Sequence, residues 1–121
     1  MSGKVLGDRG EEIAARHLEV QGWTILHRNF RVGHREIDLV VRRDEVVAFV
    51  EVKTRAGLGY GHPLEAVTRR KRREIQQVAS TWLDRHGHPS DLYRFDAIAV
   101  LLPAGGPPVV EHVEDAWRVG F

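Results

Sequence analysis

The run Val46-Val47-Ala48-Phe49-Val50 is apolar at every position and passes without a break into Glu51-Val52-Lys53. Side chains alternate across a strand, so a strand with no polar position is covered on both faces. A chain of 121 residues has room to do this once, with helices above and below a single mixed sheet. The charged tip is the second constraint. Carboxylate and ammonium groups at the end of the most buried strand mark a place where the fold accepts polar side chains beside its core.

The rest of the chain supplies the layers. From Lys4 to about Gln21, Leu6, Ile13, Ala14, Leu18 and Val20 approximate one helical stripe that also takes in His17, and Gly22 stops it. Trp23 to Phe30 is aromatic and β-branched and reads as a first strand broken by Gly33. Glu36–Arg43 and Val46–Lys53 form a hairpin about Asp44-Glu45. Residues 54–63, with Gly57, Gly59, Gly61 and Pro63, read as a mobile loop. Thr68 caps a second helix to about His86, with Ile75, Val78, Ala79, Trp82 and Leu83 as its buried stripe, and Gly87 and Pro89 end it. Tyr93–Leu102 reads as a fourth strand, 103–108 as a turn region and Val109–Val113 as a short edge strand. The expected architecture is one α/β domain over 1–121: helix, three strands, helix, strand or strands, in a mixed sheet with helices on both faces.

Composition narrows the chemistry. There are no cysteines, so a metal must be held by carboxylates, histidines, main-chain carbonyls or water, which favours Mg²⁺ or Mn²⁺. No apolar run is long enough to span a bilayer, and a cytoplasmic protein is expected. The net charge of +1 conceals a polarised chain. Residues 28–73 hold twelve Lys or Arg against six Asp or Glu, leaving six against eleven elsewhere. A basic middle between acidic ends suits a polyanion, and DNA is the expected partner.

Glu51 and Lys53 share a face of their strand, and Glu36 and Asp38 share a face of the preceding one. Pairing about a turn at 44 and 45 sets Asp38 opposite Glu51, and a slip of one residue reverses the face. Two adjacent carboxylates repel unless a cation or a shared proton lies between them. Mg²⁺ commonly takes one or two carboxylates together with waters and substrate phosphate oxygens, so Asp38 and Glu51 are candidate ligands, with Val52 able to add its carbonyl. Lys53 can supply charge to a phosphorane-like transition state and orient the attacking water. An ordinary strand-end ion pair is the alternative reading of Glu51 and Lys53. Glu36 reads as a further ligand, a solvated charge or a partner for Arg35.

With Asp38 before it, Glu51-Val52-Lys53 resembles the metal-nuclease motif of restriction endonucleases and archaeal Holliday-junction resolvases. More narrowly, Gly10-Glu11, Gly22-Trp23, Arg28-Asn29, Glu36-Ile37-Asp38-Leu39, the segment from Phe49 to Arg55, Lys71 and Arg94-Phe95-Asp96 resemble the YraN family of small bacterial proteins. The resemblance implies a restriction-endonuclease-like core, a Mg²⁺-dependent nuclease-like site and a cytoplasmic setting in DNA processing. It also implies a glutamate from the first helix, which Glu11 matches. Where that family usually has glycine before Glu-Ile-Asp, this chain has Arg35.

Arg69-Arg70-Lys71-Arg72-Arg73 crowds a helix start whose free N–H groups already favour anions. Cations there disfavour the helix, so a phosphate-binding role fits Lys71 first, with Arg72, Arg69 and Arg55 beside it. A solvated helix face is the alternative. Gln76 can approach the site one turn later, and His62 can touch substrate. His17, His86 and His88 lack metal-ligand company, Trp82 and Phe95 suit the core, and Arg94 with Asp96 suits a same-face pair. The expected function is a Mg²⁺- or Mn²⁺-dependent DNA endonuclease, on branched or structured molecules if it is resolvase-like, which requires a homodimer. A non-catalytic DNA-binding or scaffold protein on the same fold, and a pure interaction module, are the other readings.

Overall fold

The computed structural model describes residues 3–57 and 67–118. Its elements are α1 (Gly3–Val20), β1 (Thr24–Val32), β2 (Arg35–Arg43), β3 (Val46–Ala56), α2 (Arg69–His86), β4 (Leu92–Leu102) and β5 (Val109–Trp117). The five strands lie in one sheet in chain order. β3 and β4 are parallel, with α2 falling between them in the chain, and the other neighbours are antiparallel. This is the expected mixed sheet and the helix, three strands, helix, strand order of a restriction-endonuclease-like core, with β5 added at the edge.

The two helices cover opposite faces. α1 lies chiefly over β3 and β4, and α2 over β2 and β1. Ala14, Ala15 and Leu18 of α1 meet Leu39, Val41, Ala48, Val50, Ile98 and Val100. Ile75, Val78, Ala79 and Trp82 of α2 repeat at helical spacing and meet Ile37, Val40, Val47, Phe49 and Phe95. β3 feeds both cores, and Val47, Ala48, Phe49 and Val50 are all fully buried, at about 1.5–3 kcal/mol for each large apolar side chain. Thr68 Oγ1 accepts from Lys71 N at 3.2 Å, capping α2 as its sequence requires. Arg42 forks onto Asp91 at 2.8 and 3.0 Å, tying β2 to the connection between α2 and β4.

Two strands are longer than the sequence suggests. β3 runs through Ala56, so Thr54, Arg55 and Ala56 belong to the strand and not to a loop. Their pairing along β4, as far as Ala56 with Leu102, carries them on. Gly59, Gly61, His62 and Pro63 lie outside the described residues. β5 continues past Val113 to Trp117, through an irregularity opposite the stretch from Phe95 to Ala97. The cause is Asp96, a fully buried carboxylate. It accepts from the Asp115 main-chain N–H at 2.9 Å, meets His112 Nε2 at 2.8 Å and pairs with Arg94 at 3.0 Å. Beyond the irregularity, Trp117 stacks on Phe95 with ring centroids 5.3 Å apart.

Candidate functional site

β2 and β3 pair as Leu39 with Val50, Val40 with Phe49 and so on to Arg43 with Val46. That register carries Asp38 toward Glu51, and the ladder ends just before the two meet. In place of the next main-chain bond, the Val52 N–H donates to Asp38 Oδ2 at 2.7 Å. A residue's N–H and C=O leave a strand on the same edge, so the Val52 carbonyl also faces the β2 side. On β1, Arg28 pairs with Leu39 and Phe30 with Ile37, bracketing Asn29 and Asp38.

The strand ends, the start of α1 and Lys71 of α2 enclose a cleft of about 290 Å³, lined by Glu11, Glu36, Asp38, Glu51, Lys53 and Lys71 among others. Its carboxylates are in an unfavourable environment. Burial, and then the negative charge of Glu51, push Asp38 from 3.8 up to about 7. Burial raises Glu51 as well, opposed by Lys71, whose Nζ lies 3.6 Å from Glu51 Oε1. The Glu51 side chain is 15% exposed, and its Oε2 is buried without a hydrogen-bond partner. A buried carboxylate oxygen left in that state costs free energy, and a hard cation held by Asp38 and Glu51 would satisfy it. Among the described residues no three His, Cys, Asp or Glu side chains gather into a metal-holding cluster. The site offers two carboxylates and the Val52 carbonyl, a set that fits Mg²⁺ or Mn²⁺ completed by water and phosphate oxygens.

Glu11 stands on the α1 wall. Burial, and then the Asp38 charge, raise its pKa to about 7, and Asn29 Nδ2 donates to its Oε1 at 2.6 Å. α1 can come this close because residue 10 is glycine: a Cβ there would lie 1.8 Å from Thr54 Oγ1, one residue beyond Lys53. Glu12 points elsewhere, to Arg16 and Arg28. Glu36 lines the cleft and pairs with Arg31 at 2.9 Å, not with Arg35 as one of its sequence readings had it.

The basic run divides. Lys71 turns into the cleft, so its charge acts on Glu51. Arg72 folds back, donating from Nε to the Val67 carbonyl at 3.0 Å with its guanidinium 5.6 Å from the Trp117 ring centre. Arg69, Arg70 and Arg73 are exposed, as are Lys53 and Arg55 on β3. Gln76 is half-buried one turn beyond Arg72. None of the described histidines lines the cleft. His17 meets Gln21 at 3.1 Å, and His27 Nδ1 accepts from Trp82 Nε1 at 2.8 Å beside His86.

A family model described as "Uncharacterised protein family UPF0102" matches residues 10–100, from Gly10 within α1 to Val100 near the end of β4. The chain belongs to the UPF0102 family. This agrees with the resemblance to YraN proteins, and the matched span contains Glu11, Asp38, Glu51, Lys53 and Lys71. A UPF0102 protein of Clavibacter michiganensis is 51% identical over 92% of this chain and 94% of its own. Relatives in Frankia casuarinae and Geobacter sulfurreducens are 48% and 42% identical over 93% and 98% of this chain, and 95% and 92% of theirs. Among solved structures, Pyrococcus furiosus SfsA in complex with Ca²⁺ aligns with a TM-score of 0.39 and 16% identity, covering 93% of this chain and 64% of that one.

Sequence reasoning missed Asn29 as a contributor to the site, although Arg28-Asn29 stood among the family-like segments. An asparagine within an apolar and aromatic strand is the one signal it gave, since Asn is the non-glycine residue best suited to left-handed backbone.

Proposed function

We propose that this protein is a Mg²⁺- or Mn²⁺-dependent endonuclease that hydrolyses DNA phosphodiester bonds, working as one domain in the cytoplasm. The observation that carries this reading is the pairing of Asp38 and Glu51 in one cleft, with a buried Glu51 oxygen unpartnered. UPF0102 membership and the restriction-endonuclease-like order of elements support it at the level of the fold.

Asp38, Glu51 and the Val52 carbonyl would hold the cation. When bound, it supplies positive charge to a phosphate oxygen and acidifies a coordinated water. Alternation along β3 puts Glu51, Lys53 and Arg55 on the face toward α2. Lys53 then reaches the scissile phosphate and orients the attacking water through its ammonium group. Lys71 balances the carboxylate charge in the cleft. Arg55, with Arg69, Arg70 and Arg73 at the start of α2, contacts flanking phosphates, where helix N–H groups add to the attraction. Glu11 closes the opposite wall and orients water. Cutting a four-way junction takes two such sites and therefore a homodimer.

The test is cleavage of end-labelled linear, flapped and four-way DNA by wild type and Glu51→Ala, with Mg²⁺, Mn²⁺ or chelator. Metal-dependent cutting by wild type that the variant loses is expected. Binding without cutting under every condition refutes the nuclease reading and leaves a DNA-binding scaffold.

A further inference from the structure

In a regular strand neighbouring side chains point to opposite faces, yet Arg28 and Asn29 of β1 both reach α1. Arg28 Nη1 bonds Glu12 and Asn29 Nδ2 bonds Glu11 at 2.6 Å. Phe30, the next residue, packs on the α2 side. The break in alternation has a local cause, because Asn29 has φ of 50°, in the left-handed region that costs most side chains free energy. It sits level with Asp38 between two regular pairs of the β1–β2 ladder. Backbone irregularity held at such a place is commonly retained for what it positions.

We infer that Asn29 is a positioning residue: its left-handed backbone and side-chain amide hold Glu11 against the Asp38–Glu51 cleft, so that its carboxylate bears on the divalent cation through the water it orients. The inference rests on the metal reading proposed above. One Glu11 oxygen receives the Asn29 N–H, which leaves the other for the cleft. The close seat of Gly10 on Thr54 fixes the height of α1 along β3, so the amide has only to set the direction of the carboxylate. Partners that orient a group at a metal site typically change affinity 10–100-fold when removed.

Mn²⁺ affinity measured by calorimetry on wild type, Asn29→Gly, Glu11→Gln and the double variant tests this. Glycine accepts positive φ freely, so Asn29→Gly removes the amide and keeps the backbone, which circular dichroism without metal verifies. The expected result is at least tenfold weaker Mn²⁺ binding in Asn29→Gly, and a double variant no weaker than Glu11→Gln alone. Wild-type affinity in Asn29→Gly overturns the inference and leaves the metal reading standing. A further tenfold loss in the double variant also overturns it, since Asn29 would then act independently of Glu11. Wild type that binds no Mn²⁺ overturns the metal reading and this inference together.

Discussion

Ionising the cleft without a cation destabilises the protein, and the size of the effect follows from the structure. Asp38 has a folded pKa of about 7 against 3.8, so between those values the folded state binds more protons than the unfolded chain. Stability contributed by this group is present at low pH and lost as pH rises through about 7. At about 1.4 kcal/mol per pH unit the shift sets a ceiling of about 4 kcal/mol, of which about 2–3 kcal/mol is lost between pH 5 and pH 8. For a domain of this size each kcal/mol moves the melting temperature by about 3–4 °C. Metal-free protein in chelator should therefore melt about 10 °C lower at pH 8 than at pH 5. Glu11, also raised to about 7, acts in the same direction. Asp91, lowered from 3.8 to about 2 by its bonds to Arg42 and then to the His88 main-chain N–H, contributes stability lost as pH falls from about 3.8 through 2, outside this window. Asp38→Asn keeps an oxygen for the Val52 N–H and removes the charge, so its melting temperature should vary much less with pH. Mn²⁺ should raise the wild-type value most at pH 8 and that of the Asp38→Asn variant hardly at all. Scanning calorimetry from pH 5 to 8, with chelator or Mn²⁺, reads all of this. Equal pH dependence in the two proteins refutes the reasoning.

Gly10→Ala should destabilise by about 1–3 kcal/mol through overpacking against Thr54, measured by urea unfolding, and Thr54→Ala should restore part of it. Asp96→Ala leaves Arg94 and His112 facing a buried vacancy and should cost about 3–5 kcal/mol in the same assay. Replacing Arg69, Arg70 and Arg73 together by Ala should weaken DNA binding and reduce the slope of log K against log salt by about 2–3. An unchanged slope removes these residues from the interface.

The sequence made the sheet legible where one strand carried unambiguous information. Val46–Val50 demanded two covered faces, and the Asp44-Glu45 turn set the register that leads Asp38 to Glu51. Both were readable because a hairpin is local and alternation has a period of two. The last step at the site was not readable. Asp38 reaches a main-chain N–H because the ladder ends there, which depends on packing around Ile37 and Leu39 on opposite faces. That Lys71 lies 3.6 Å from Glu51 was not readable either, since the crossover through α2 fixes which side of its first turn meets β3. The length of β5 was hidden for a similar reason. Asp96 organises the irregularity that carries it on to Trp117, and only the fold brings Asp115 and His112 to that carboxylate.

On the reading proposed above, Asp38 and Glu51 are brought together to hold a divalent cation. Crystals of the wild-type protein soaked in Mn²⁺, with diffraction measured on both sides of the manganese absorption edge, test it most directly. One strong anomalous peak is expected between the Asp38 and Glu51 carboxylates, within coordinating reach of the Val52 carbonyl and absent from Glu51→Ala crystals. An empty cleft in soaked wild-type crystals would contradict it.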